Sequence, residues 1–98
     1  MLTTEEAVER LSKQLEQIDE LGTKTPYSSK FNKWHSETED LIEKIFGKKT
    51  RYLEDFNSIY FTPIFLTCQI KDSVFEEAYL GGLEEARSRL SLLIEEIE

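Results

Sequence analysis

The chain reads as an all-α protein: a bundle of three to four helices, with an extended aromatic segment over about residues 58–71 packed across it. Three observations carry that expectation. Apolar residues recur at helical spacings of three and four through most of the sequence. Four Gly and two Pro are too few for a loop-rich fold. One run alone, "IYFTPIFLTCQI", has strand-like composition, and it has no second strand of similar quality to pair with.

The first helix is marked at both ends. In "LTTEEAVERLSKQLEQIDELG", Thr3 and Glu6 have the spacing of a capping box. Val8, Leu11, Leu15 and Ile18 come next as a narrow stripe resembling a coiled-coil seam. Gly22 is placed for a left-handed cap, so the first helix should span about 4–21. "TKTPYSS" is a loop, because Pro26 biases Thr25 away from helix and Ser28 or Ser29 can cap the second helix.

The next stretch, "FNKWHSETEDLIEKIFG", holds the single Trp and the single His. At about 100° per residue, Phe31, Trp34, Thr38, Leu41, Ile42, Ile45 and Phe46 share an arc of about 140°. Lys33, Glu37, Asp40, Glu43 and Lys44 fall outside it, and Gly47 is a helix stop. A packed helix explains this pattern. Trp34 reads as a core anchor and His35 as a boundary residue at the edge of the apolar arc.

Thr50 can cap a short helix carrying Leu53, Phe56 and, at its far end, Tyr60. Pro63 then interrupts the aromatic run and removes a ladder donor from its middle. Left uncovered, this run would invite aggregation, so the bundle or another subunit must cover it. The last segment, "KDSVFEEAYLGGLEEARSRLSLLIEEIE", reads as a helix of about 25 residues capped by Asp72. Phe75, Tyr79, Leu83, Ala86, Leu90, Leu93, Ile94 and Ile97 define its inner face. Gly82 lies on that face and should admit a close neighbour. Gly81 does not, and a kink there is an alternative. The expected core anchors of the whole fold are Phe31, Trp34, Phe46, Phe56, Phe75 and Tyr79.

Ninety-eight residues make one domain, 1–98. With 39% apolar and 33% charged residues, the composition is that of a folded protein with a modest core. A net charge of −8 opposes attraction to nucleic acid. The charge is uneven: residues 24–51 carry +3, between flanks of −4 and −7. The single Cys excludes an internal disulfide, and Cys68 in its apolar run reads as a small buried hydrophobe. The acidic opening "MLTTEEAVER" is no signal peptide, and no run has the ~18–20 apolar residues of a membrane span. A cytoplasmic location is the expectation.

Chemistry is sparse. One His and one Cys on different segments do not make a nucleophile, base and orienter. Metal-ligand spacings and phosphate-cradling glycine loops are missing from the sequence, so no catalytic residue, metal or cofactor is expected. Binding is the more open question. "FGKKTRY" gathers Lys48, Lys49, Arg51 and Tyr52 beside a helix N-terminus, a candidate patch for an anion or nucleotide. The blander account is a loop kept soluble by charge. Two further features do not suit a closed monomer. Leu92 lies about 100° off the apolar stripe, and the last helix ends in acid, where its dipole favours base. With Val8, Leu11, Leu15 and Ile18, Leu92 makes a candidate self-association surface, a dimer being favoured.

Taken together, Phe31-x-x-Trp34, Ile45-Phe46-Gly47, Phe56, Ile59, Tyr60, Pro63 and "FEEAYLGGLEEA" resemble a small helical domain. That domain is found at the N-terminus of bacterial proteins whose C-terminal half is a TIR-like predicted nucleotide-binding domain. The resemblance covers residues 31–98, more weakly the first helix, and rests mostly on core positions. It implies a helical accessory module linked to anti-phage defence or prophage biology. Its partner would be itself or a related TIR-like effector, with a small nucleotide as the alternative ligand. No residue of a TIR-like domain has a counterpart here, so no catalytic role carries over.

Overall fold

The computed structural model describes residues 2–23, 28–48, 50–62 and 72–98. Expectations for Thr25, Pro26, Lys49, Pro63 and Cys68 lie outside the described residues. Those residues form four helices: α1, Thr4–Leu21; α2, Ser29–Phe46; α3, Arg51–Asn57; and α4, Asp72–Ile97. The protein is an all-α bundle, and no strand occurs among the described residues.

Capping fixes where the helices begin. The Thr3 hydroxyl accepts from the Glu6 amide at 3.1 Å, and Ser28 does the same for Phe31 at 3.2 Å. Thr50 accepts from Leu53 at 3.4 Å. Each satisfies one backbone donor that the first turn leaves without a partner. At Gly47 the backbone turns to φ 98°, a conformation that favours glycine. Gly22 differs from expectation: its φ is −61°, right-handed, its amide donates to the Ile18 carbonyl, and the Thr23 amide donates to the Glu20 carbonyl. The helix simply tightens there, so a left-handed residue is not required.

α1 runs antiparallel to both of its neighbours. Against α2, Gln14 meets Trp34 and Thr38. Against α4, Leu21 meets Tyr79 and Asp19 meets Arg87. α4, 26 residues long, accounts for about 39 Å of the molecule's 48 Å length. It continues through Gly81 and Gly82 without interruption.

The core is one cluster, with Leu11, Ile18, Phe31, Trp34, Ile42, Phe56, Tyr79, Leu83 and Leu90 near its centre. Four expected anchors, Phe31, Trp34, Phe56 and Tyr79, are fully buried. Phe46 packs against the cluster half-buried, and Phe75 is half-buried near the start of α4. Of the aromatic segment, residues 58–62 are described: Ile59 and Phe61 are buried and Tyr60 faces outward. Phe61 lies edge-on to Phe31 at 4.9 Å between ring centres and to Trp34 at 6.4 Å. It reaches them across Gly82, whose missing side chain makes room for it.

A polar network crosses this apolar interior. Gln14 Nε2 donates to Thr38 Oγ1 at 2.7 Å, and Thr38 donates on to the Trp34 carbonyl at 2.7 Å. In return the Trp34 indole N–H donates to the Gln14 carbonyl at 3.0 Å. Gln17 Nε2 donates to Gln14 Oε1 at 3.1 Å. No buried side-chain polar atom among the described residues lacks a partner. Because unpaired buried donors are costly, the network holds α1 and α2 in a single register.

Candidate interaction surface

The expected self-association stripe divides in two. Leu11 and Ile18 are wholly buried in the chain's own core, and Val8 and Leu15 are half-buried. α4 has taken the face that α1 was expected to offer a partner. Leu11 and Ile18 are therefore not available to a partner, and Val8 and Leu15 flank them half-buried. Leu92 behaves differently. Its side chain is 55% exposed, on the outer side of α4.

The expected anion patch also separates. Lys48 is exposed, 3.7 Å from Glu43, while Arg51 Nε lies 3.7 Å from Asp55. Both cations are thus matched by nearby acid. The N-terminus of α3 is closed by the Thr50 hydroxyl, and α3 is only seven residues long. Tyr52 stacks on Phe46, with ring centres 4.3 Å apart and planes tilted by 32°. Its hydroxyl donates to Glu96 Oε1 at 3.1 Å. Hydrogen bonding to that carboxylate, and its charge, raise the Tyr52 pKa.

What the structure brings together is one residue pair from the patch and one residue from the stripe. Arg51, Tyr52 and Leu92 line a single groove of about 350 Å³ between α3 and the C-terminal half of α4. Phe56 and Leu93 are buried at its floor, and Asp55, Arg89, Glu95 and Glu96 edge it. Two guanidinium groups and three carboxylates therefore surround an apolar centre. The acidic end of α4 is partly accounted for, since Glu96 receives the Tyr52 hydroxyl.

Sequence reasoning missed Arg89 as a member of this surface. Its signal was available: residues 85, 89, 92 and 96 fall on one stripe of α4. Gln14 was missed as well, although it lies three residues after Leu11 and four before Ile18, on the buried stripe itself.

His35 is half-buried, with Nδ1 3.0 Å from Glu39 Oε1 and its ring against Phe56 at 5.0 Å and Phe61 at 5.9 Å. That is the boundary position expected of it. Among the described residues, no group of three His, Cys, Asp or Glu side chains is placed to hold a metal ion. No helix among them is long and apolar enough to cross a membrane. No family model matches the chain, and comparisons with curated proteins and with solved structures find no match either.

Proposed function

We propose that this chain is a non-catalytic helical interaction module that associates with protein partners, itself first, through the α3–α4 groove. The observation that carries the reading is the convergence of exposed Leu92 with Tyr52 and Arg51 around an apolar floor. A large apolar side chain beside a concave, mixed-charge rim has the layout of a small interface centre. The test is mass in solution at tens of micromolar. The wild type should exceed one chain's 11.5 kDa, and Leu92→Glu should return it to that value with helicity unchanged. A monomeric wild type removes self-association.

The setting comes from resemblance. The likeness of residues 31–98 to domains that precede TIR-like effectors supports a place in bacterial anti-phage defence or prophage biology. It also supports such an effector as the other partner. A cytoplasmic site of action belongs to the same reading, supported by the single cysteine.

A second reading is favoured by Arg51, Arg89 and the Tyr52 ring on one groove: capture of a nucleotide-derived anion. It ranks lower because Asp55, Glu95 and Glu96 line the same groove and repel phosphate. A nucleotide at 100 times its Kd stabilises by about 2.7 kcal/mol, which a thermal-shift panel detects readily.

A further inference from the structure

We infer that the partner seated on the α3–α4 groove is a second copy of this chain, its α4 antiparallel to the first about a two-fold axis at Leu92. The inference rests on the interaction role proposed above and adds the partner, the direction and the pairing residues. A two-fold interface must be complementary to itself, so each residue of the patch has to accept its symmetry mate. Arg89, Leu92 and the acidic pair Glu95–Glu96 meet that condition. Inversion about Leu92 carries position 89 onto position 95. Each Arg89 then lies level with the other copy's Glu95 and, on its own side of the seam, next to the other copy's Glu96, and Leu92 meets Leu92 on the axis.

Other arrangements fail on charge. Parallel α4 helices would set Arg89 against Arg89 and Glu95 against Glu95, and opposed like charges cost several kcal/mol. A wholly basic partner would meet Arg51 and Arg89, while a wholly acidic one would meet Asp55, Glu95 and Glu96. A surface of mixed and alternating sign fits its own inverse better than it fits either. The chain's −8 charge opposes indiscriminate self-association, so a local match of this kind is needed to bring two copies together.

The side chains are free to make the exchange. Arg89 is half-exposed, and among the described residues its ion pair is with Glu85 on the preceding turn, at 3.7 Å. Such pairs are worth about 0.3–0.5 kcal/mol and are easily given up. Glu95 is exposed. The groove beside Leu92, floored by Leu93 and Phe56, offers the partner's leucine an apolar seat.

A charge-swap experiment tests the pairing. By sedimentation at tens of micromolar, the wild type should have a mass of about 23 kDa, twice that of one chain. Arg89→Glu alone places acid against acid, and Glu95→Arg alone places base against base. Each should weaken the dimer more than tenfold while leaving the helical circular dichroism intact. Mixed in equal amounts, the two variants restore both pairs and should recover a heterodimer. A wild-type dimer indifferent to either swap overturns the inference but leaves self-association standing. Swaps that dissociate the dimer without rescue on mixing overturn the antiparallel pairing. A monomeric wild type overturns both the inference and the self-association reading.

Discussion

Gly81 and Gly82 are neighbours on α4, yet alanine should act on them with opposite sign. At Gly81 an added Cβ would meet nothing within 4 Å. Only the backbone gain remains, and Gly→Ala inside a helix is worth about 1 kcal/mol. For a domain of this size that raises Tm by about 4–8 °C. At Gly82 the same Cβ would lie 2.6 Å from Phe61 Cδ1, 2.6 Å from the Tyr60 carbonyl oxygen and 3.1 Å from Phe61 Cα. Ordinary contact begins near 3.4 Å, so the segment must retreat by about 0.8 Å. Two of the three obstructing atoms are backbone, and a rotamer change cannot relieve them. Overpacking of this kind costs about 1–3 kcal/mol, and Phe61 also loses contact with Phe31 and Trp34. Complete loss of a buried Phe side chain, about 3–5 kcal/mol, bounds the effect from above. After the helix gain is subtracted, Gly82→Ala should destabilise by roughly 0–2 kcal/mol from overpacking alone, and by up to about 4 kcal/mol if Phe61 leaves its site. Urea titration followed by Trp34 fluorescence and by circular dichroism measures both variants, and the separation between their midpoints is the decisive quantity. Equal stabilisation by the two alanines would refute the packing of Phe61 over Gly82.

Thr38→Val keeps the shape but strips Gln14 Nε2 of its 2.7 Å acceptor, leaving the 3.4 Å contact with the Trp34 carbonyl. The expected cost is about 1–3 kcal/mol, and adding Gln14→Leu should return most of it. A double-mutant cycle with no coupling would show that the network contributes nothing. Tyr79→Phe removes the hydroxyl that donates to the Leu21 carbonyl at 2.7 Å and should cost about 1–3 kcal/mol at neutral pH. Burial raises the Tyr79 pKa, so the folded state holds this proton more tightly than the unfolded one. The resulting stability is full below about pH 10 and is lost as pH rises through the raised folded value. Tyr79→Phe should therefore flatten the alkaline decline in stability measured by denaturant midpoint, with Tyr52 keeping part of the slope because Glu96 raises its pKa too. An unchanged alkaline profile would count against Tyr79 as a source of the decline.

Helix boundaries were legible because caps are local: Thr3, Ser28 and Thr50 each sit one residue before a helix and declare it. The inner faces of α2 and α4 were legible because periodicity records burial directly. Which helix covers which was not legible. The stripe on α1 is equally suited to a partner subunit or to α4, and only tertiary packing assigns Leu11 and Ile18 to the core. Gly82 was readable as a close approach because it interrupts an apolar face, although the ring it admits was not. The groove was hidden for a different reason. Its residues come from positions 51–56 and 89–96, and no local pattern ties Arg51 to Arg89. Charge runs looked solvated from the sequence, and Glu96 shows how one of them is drawn back to the bundle by a distant Tyr52.

The antiparallel pairing of α1 and α4 brings Leu2 and Ile97 to the walls of one shallow depression beside Phe46. A short linker joining Leu2 to Glu98 would thus close these four helices into a ring with little distortion. New ends could be opened at Gly47–Lys48, between α2 and α3, where the backbone already leaves helical geometry. Such a rearranged chain would retain the same interior while α3 and α4 leave the ribosome before α1 and α2.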